Sequence, residues 1–201
     1  MIILIRYLLV ALVLVAQGCA SAGKTTDTAT RSASGGEYPR DIEDLDDVNF
    51  PVEIAGFRRS KAIAYASDMA DFSVSYELDE PDLQVRSSIY LYKRKLYAPT
   101  LEKQFRMEEH GVRQYYSRTT LILEDTIAVW KKGEQYQARR AAFKFTSDLF
   151  GSSQALYSEL FVWVVGERYV KMRTTTPYRM RQAVEARRTA LLDGINWTID
   201  P

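Results

Sequence analysis

The sequence predicts an α+β domain: a mostly antiparallel sheet of about seven strands with helices packed on it, in the order βββ-α-ββββ-α. Three observations lead there. Several segments alternate apolar and polar residues with a period of two, the mark of half-buried strands. All but one of the links between those segments are short enough for hairpins, and hairpins join antiparallel neighbours. The segment 154–165 is apolar at both parities, with Leu160, Val162 and Val164 on one side and Tyr157, Phe161 and Trp163 on the other. It therefore belongs in the middle of the sheet, with helices covering at least part of both faces.

The folded domain is expected to begin near Asn49-Phe50-Pro51 and to run as one unit over 49–201. Strands are predicted over 57–66 and 72–78, joined across 67–71. In the second, Phe72, Val74, Tyr76 and Leu78 alternate with Ser73, Ser75 and Glu77. After the turn at Glu80-Pro81-Asp82 a third strand covers 85–93, with Val85, Ser87, Ile89 and Leu91 on one face and Arg86, Ser88, Tyr90 and Tyr92 on the other. Pro99-Thr100 opens a helix reaching about 116, in which Leu101, Phe105, Val112 and Tyr116 fall on one stripe. Two long strands follow over 119–130 and 134–146, folded back at Lys131-Lys132-Gly133. A second hairpin covers 154–165 and 168–176 and turns at Gly166-Glu167. Pro177 is predicted to start the last helix, with Met180, Ala183, Val184, Ala190 and Leu191 toward the sheet and Asp193-Gly194 as its stop.

Ahead of the domain the chain changes character twice. Residues 1–18 carry a single cation, Arg6, and an apolar run too short for the roughly 20 residues of a spanning helix, so they read as a signal peptide. Ala16-Gln17-Gly18-Cys19 resembles a bacterial lipobox, which implies a diacylglycerol on the Cys19 thiol and cleavage in front of it. The competing site is Ala20-Ser21-Ala22, whose use by the ordinary signal peptidase would discard the cysteine and release a soluble periplasmic or secreted protein. Residues 19–48 begin with Cys19 and are rich in Ser, Thr, Ala and Gly as far as 40, which predicts a lipidated cysteine on a flexible tether. The acidic stretch 41–47 lacks the spacing and glycine of a calcium loop and reads as a solvated entry segment. Ala20 follows the cysteine where an aspartate retains many lipoproteins in the inner membrane. The resemblance therefore implies an outer-membrane address facing the periplasm.

Charge and residue usage narrow the function. With Arg6 removed in the leader, the acidic and basic residues balance, which argues against a nucleic-acid partner. Cys19 is the only cysteine, so no internal disulfide is expected. The one histidine, His110, lies on the polar side of the first predicted helix and reads as a surface residue. The sequence holds no G-x-S-x-G elbow, phosphate loop or H-E-x-x-H pair, so neither a catalytic set, a metal site nor a cofactor is expected. Two constellations stand out. Glu159 shares a strand face with Tyr157, Phe161 and Trp163; a carboxylate buried there needs a cation, and Arg140 or Lys144 on the preceding strand is the expected source. Tyr169, Lys171 and Arg173 share one parity of the last strand and, with Arg86, Tyr90 and Tyr92, make an aromatic and basic surface suited to an anionic or glycan partner.

The run Arg168-Tyr169-Val170-Lys171-Met172-Arg173-Thr174-Thr175-Thr176-Pro177 before an amphipathic helix resembles bacterial envelope lipoproteins of unassigned function, as do Phe50-Pro51, Ile54-Ala55-Gly56-Phe57 and Tyr90-Leu91-Tyr92. The element order is similar to the PsbP-like α/β/α sandwich. That resemblance implies a binding or assembly factor and brings no catalytic residues with it. The expected function is a lipid-anchored periplasmic protein of the cell envelope, held to the membrane through Cys19 and binding an envelope protein or glycan. The alternatives are a hydrolase working through carboxylates such as Glu159 and a carrier with an apolar cavity between sheet and helix.

Overall fold

The structure is a computed structural model, and the residues described are 38–43, 45, 49–68, 70–94 and 100–198. Cys19, the leader and the tether as far as 37 lie outside them. The elements are β1 (Arg40–Asp41), β2 (Glu53–Ile54), β3 (Phe57–Ala64), β4 (Phe72–Glu80), β5 (Leu83–Lys93), α1 (Leu101–Tyr115), β6 (Thr120–Lys131), β7 (Glu134–Ser147), β8 (Gln154–Val165), β9 (Arg168–Pro177), a 3-10 turn at Tyr178–Met180, and α2 (Val184–Gly194).

Among the described residues all strand pairs are antiparallel. The sheet runs β1-β3-β4-β5-β9-β8-β7-β6, with β2 also on β3. It is built from two meanders, β3-β4-β5 and β6-β7-β8-β9, joined where β5 pairs β9 with Ile89 opposite Met172. The first meander ends in mid-sheet, so α1 must carry the chain across to the far edge, where β6 begins. The seven predicted strands are present. Two more, β1 and β2, are two residues each and carry no periodic pattern; β3 alone defines them. Through β1 the sheet takes in Arg40–Asp41, ahead of the expected domain start at 49, and Ile42 donates its backbone N–H to the Ala62 carbonyl at 2.9 Å.

Local chemistry explains the boundaries. Thr100 caps α1 by accepting from the Lys103 backbone N–H at 3.2 Å. Lys132 and Gly133 have φ of 49° and 83°, so the two-residue turn between β6 and β7 has both central residues left-handed, the geometry that matches strand twist. Pro177 does not open the last helix. It is the final residue of β9, opposite Leu156, and α2 starts only at Val184 after the 3-10 turn.

The side chains sort onto two faces. Val74, Tyr76, Ile89, Leu91, Met172, Phe161 and Trp163 pack beneath α2 and the C-terminal segment, where Trp163 meets Trp197 edge-on at 5.2 Å. On the other face Tyr169, Leu160, Val162, Phe143 and Phe145 pack against Phe105 and Val112 of α1. The strand β8 lies between β9 and β7 and is buried on both faces, as its two-sided apolar pattern predicts. The buried stripe of α2 is Val184, Arg188, Leu191 and Leu192, while Ala183 and Ala190, expected toward the sheet, are exposed. The end of α2 sits so close to β2 that a Cβ on Gly194 would lie 1.7 Å from Ile54 Cδ1.

Candidate functional site

Alternation along β5 and β9 presents Tyr90, Tyr92, Tyr169, Lys171 and Arg173 to the face carrying α1. The helix lies over β7 and β8 and leaves β4 and β5 partly open. Between its rim and those strands lies an open cleft of about 340 Å³, lined by Tyr65, Asp71, Phe72, Tyr90, Leu91, Tyr92, Gln104, Met107, Glu108 and Lys171. Tyr65 and Met107 stand at its mouth, each 42% exposed.

The floor of the cleft is a closed polar network. Lys171 Nζ donates to Glu108 Oε2 at 2.9 Å and sits 3.9 Å from the centre of the Tyr90 ring. Tyr92 Oη donates to Glu108 Oε1 at 2.9 Å, and Gln104 Nε2 reaches both Glu108 Oε1 (2.8 Å) and Tyr92 Oη (3.0 Å). Gln104 and Glu108 are one helical turn apart, so α1 delivers both from one stripe. Burial, and after it the neighbouring Glu108 carboxylate, pushes the Tyr92 phenol well above its ordinary range; burial, followed by Tyr65, raises that of Tyr90. Tyr92 therefore stays a neutral phenol and donates to the Glu108 carboxylate. The helix that carries this network is clamped from its other side. Arg106 bridges Glu102 and Glu109 of α1 to Glu124 of β6 at 2.6–2.8 Å, and Arg113 holds Glu109 at 2.8 Å.

The expected six-residue surface is thus divided. Tyr90, Tyr92 and Lys171 meet in the cleft. Tyr169 is fully buried in the core beneath α1, with its ring 5.8 Å from that of Tyr92. Arg173 is half-buried: it donates to Ser158 Oγ at 3.1 Å, with its guanidinium 4.8 Å from the Tyr116 ring centre. Arg86 lies toward the opposite end of β5, paired with Glu77 at 3.3 Å and 5.5 Å from the Phe150 ring centre. Residue parity placed these side chains on one face, but α1 and the 148–151 loop decide which of them reach solvent. Tyr65, Asp71, Gln104, Met107 and Glu108 complete the lining without a motif in the sequence. Their only signal is the Gln104/Glu108 spacing.

Glu159 is buried on the opposite face, 3% exposed. Its carboxylate accepts from Arg188 Nη1 of α2 and from Tyr157 Oη at 3.1 Å, and Arg140 Nη1 stands 3.8 Å away. Arg140, an expected partner, gives its main bonds to Asp125, with Nε 2.8 Å from Oδ1. Lys144, the other, lies 4.5 Å from the Tyr178 ring centre. The principal partner is Arg188, itself 6% exposed, with its guanidinium 4.7 Å from the Phe161 ring centre. A signal for it existed: Arg188 interrupts the apolar i, i+4, i+7 stripe of Val184 and Leu191. His110 is exposed on α1, as its position in the helix predicts. Among the described residues no three His, Cys, Asp or Glu side chains are grouped so as to hold a metal ion, and no helix is long and apolar enough to cross a membrane.

These features define an α+β domain with a mostly antiparallel sheet, a helix on each face and an open aromatic and charged cleft beside one of them. No protein-family model matches the chain, and no curated protein matches it. Among solved structures the chain is similar to the Ran-binding protein Mog1p of Saccharomyces cerevisiae, with a TM-score of 0.31, 11% identity and coverage of 66% of this chain and 84% of that one.

Proposed function

We propose that this chain is a binding or assembly-type protein of the bacterial cell envelope, held to the outer membrane by lipid on Cys19 and facing the periplasm, with the cleft beside α1 as its recognition site. The observation that carries the binding reading is the cleft itself. Its walls are aromatic and thioether groups, and its floor is a Lys171–Glu108–Tyr92–Gln104 network in which each charge is matched. A preformed polar floor under apolar walls orients a ligand and holds it by burial. Glu159 serves a structural role in this reading: it is closed off under α2 and bonded to Arg188. The lipobox supports the anchor. Helices on both faces of the sheet, together with the element order, support a PsbP-like sandwich.

The binding reading is tested by isolating the full chain from membranes with its bound material, beside Tyr90→Ala and Lys171→Gln. Wild type should retain a specific envelope protein or glycan that both variants lose while staying folded; retention by both variants overturns the cleft as the site. The anchor is tested separately with labelled fatty acid. Label should be lost in Cys19→Ser, and label that persists removes the lipoprotein reading.

A further inference from the structure

We propose that two copies of the chain pair edge to edge through β6, antiparallel about a two-fold axis at Thr126. The two edges of the sheet are handled differently. On one side β3 is covered by β1 and β2. On the other side β6 runs for twelve residues without proline, and among the described residues it pairs only with β7. A long edge with that composition is a template for another strand.

The register of β6 points to a second copy as the occupant. Its turn to β7 has two residues, so the flanking pair Lys131 and Glu134 exchanges both backbone hydrogen bonds. Every second residue back from Lys131 then bonds to β7, which leaves Glu124, Thr126, Ala128 and Trp130 with backbone groups directed outward. Thr126 and Ala128 are exposed. The two large apolar side chains exposed on β6 are Ile122, 45% exposed at the bulge, and Trp130, 57% exposed. They stand four residues either side of Thr126. A two-fold axis there places Ile122 of each copy against Trp130 of the other, and Thr126 against itself in a hydrogen-bonding position. The same register sets Glu124 opposite Ala128 and Asp125 opposite Ile127, so no like charges meet. Glu124 and Asp125 are already held within their own chain by Arg106, Arg139 and Arg140. Like charges in register are what commonly keep an edge single, and self-pairing here meets none.

The test uses the full chain in detergent. In a Cys19→Ser background, Thr126→Cys should oxidise to a disulfide-linked dimer, because opposed Cα atoms in a hydrogen-bonded antiparallel pair lie about 5.5 Å apart, within disulfide reach. Ser60→Cys, on the covered side of the sheet, should not. By sedimentation equilibrium, the chain with its own β6 should be a reversible dimer, weakened at least about tenfold by Ile122→Lys with Trp130→Lys. A folded chain that stays monomeric overturns the proposal, as does crosslinking at 126 no greater than at 60. A monomer that instead captures a different polypeptide on β6 overturns it as well.

Discussion

Replacing Arg188 with methionine should destabilise the domain far more than its single position on a short helix suggests. Arg188 and Glu159 are 6% and 3% exposed, and their ion pair ties α2 to the central strand β8. Removing one member of such a pair leaves the other buried without its counter-charge, a change that typically costs about 3–5 kcal/mol. Here the low end applies. The Tyr157 hydroxyl still reaches Glu159, and Arg140 stands 3.8 Å away. A methionine can also fill the space over the Phe161 ring, where the guanidinium lies 4.7 Å from the ring centre. A loss of about 3 kcal/mol is a large share of the 5–15 kcal/mol by which a domain is usually stable. Glu159→Leu combined with Arg188→Met removes both charges and should recover to within about 1 kcal/mol of the parent, because a matched apolar pair often replaces a buried ion pair without loss. The assay is urea unfolding followed by circular dichroism, read as a shift in midpoint at constant slope. Two single variants that each cost less than about 1 kcal/mol, or a double variant whose cost equals their sum, would refute the reasoning.

Further consequences can be measured on the same protein. Gly194→Ala should destabilise by about 1–2 kcal/mol, since its new methyl must displace Ile54, and Ile54→Ala in that background should return part of the loss. Lys132→Asn should stabilise the β6–β7 turn by a few tenths of a kcal/mol, because asparagine tolerates the left-handed φ of 49° better than lysine does, whereas Gly133→Val should be clearly destabilising. Hydrogen bonds from Arg140 hold the Asp125 carboxyl below its ordinary pKa, and bonds from Arg106 do the same for Glu124. A carboxylate depressed on folding contributes stability that is complete above its unfolded value near 4 and disappears as the pH falls through the folded one. Arg140→Gln should therefore move the acid-unfolding midpoint toward neutral pH; an unchanged midpoint would show that the Asp125 bond does not contribute.

Much of this architecture is legible in residue order. The two-sided apolar run of β8 places it in mid-sheet, and the period-two segments give β3 to β5 with only their ends shifted. Elements of two residues are not legible, since β1 and β2 are created by the edge they pair with. Pro177 shows how one signal serves two roles: the residue suited to a helix start here ends a strand. The candidate site was half legible for a related reason. Tyr90, Tyr92 and Lys171, which share a parity along β5 and β9, line one cleft. Whether a side chain on that face meets solvent, however, is decided by where α1 lies, and this buries Tyr169 and half-covers Arg173. Gln104 and Glu108 come from the helix that roofs the sheet, and nothing local announces that they will meet Lys171. For Glu159 the neighbouring strand offers Arg140 at 3.8 Å, while the main cation, Arg188, comes from α2, across the layer.

The cleft beside α1 is proposed as the surface that meets a partner. A photo-crosslinking residue placed at 107, at the mouth of the cleft, tests this in intact cells against the same residue at 110, which is exposed on the same helix outside the cleft lining. A discrete adduct is expected from 107, absent from 110 and lost when Tyr90→Ala is added. Equal labelling from both positions, or no adduct from 107 in a folded and correctly exported chain, would contradict it.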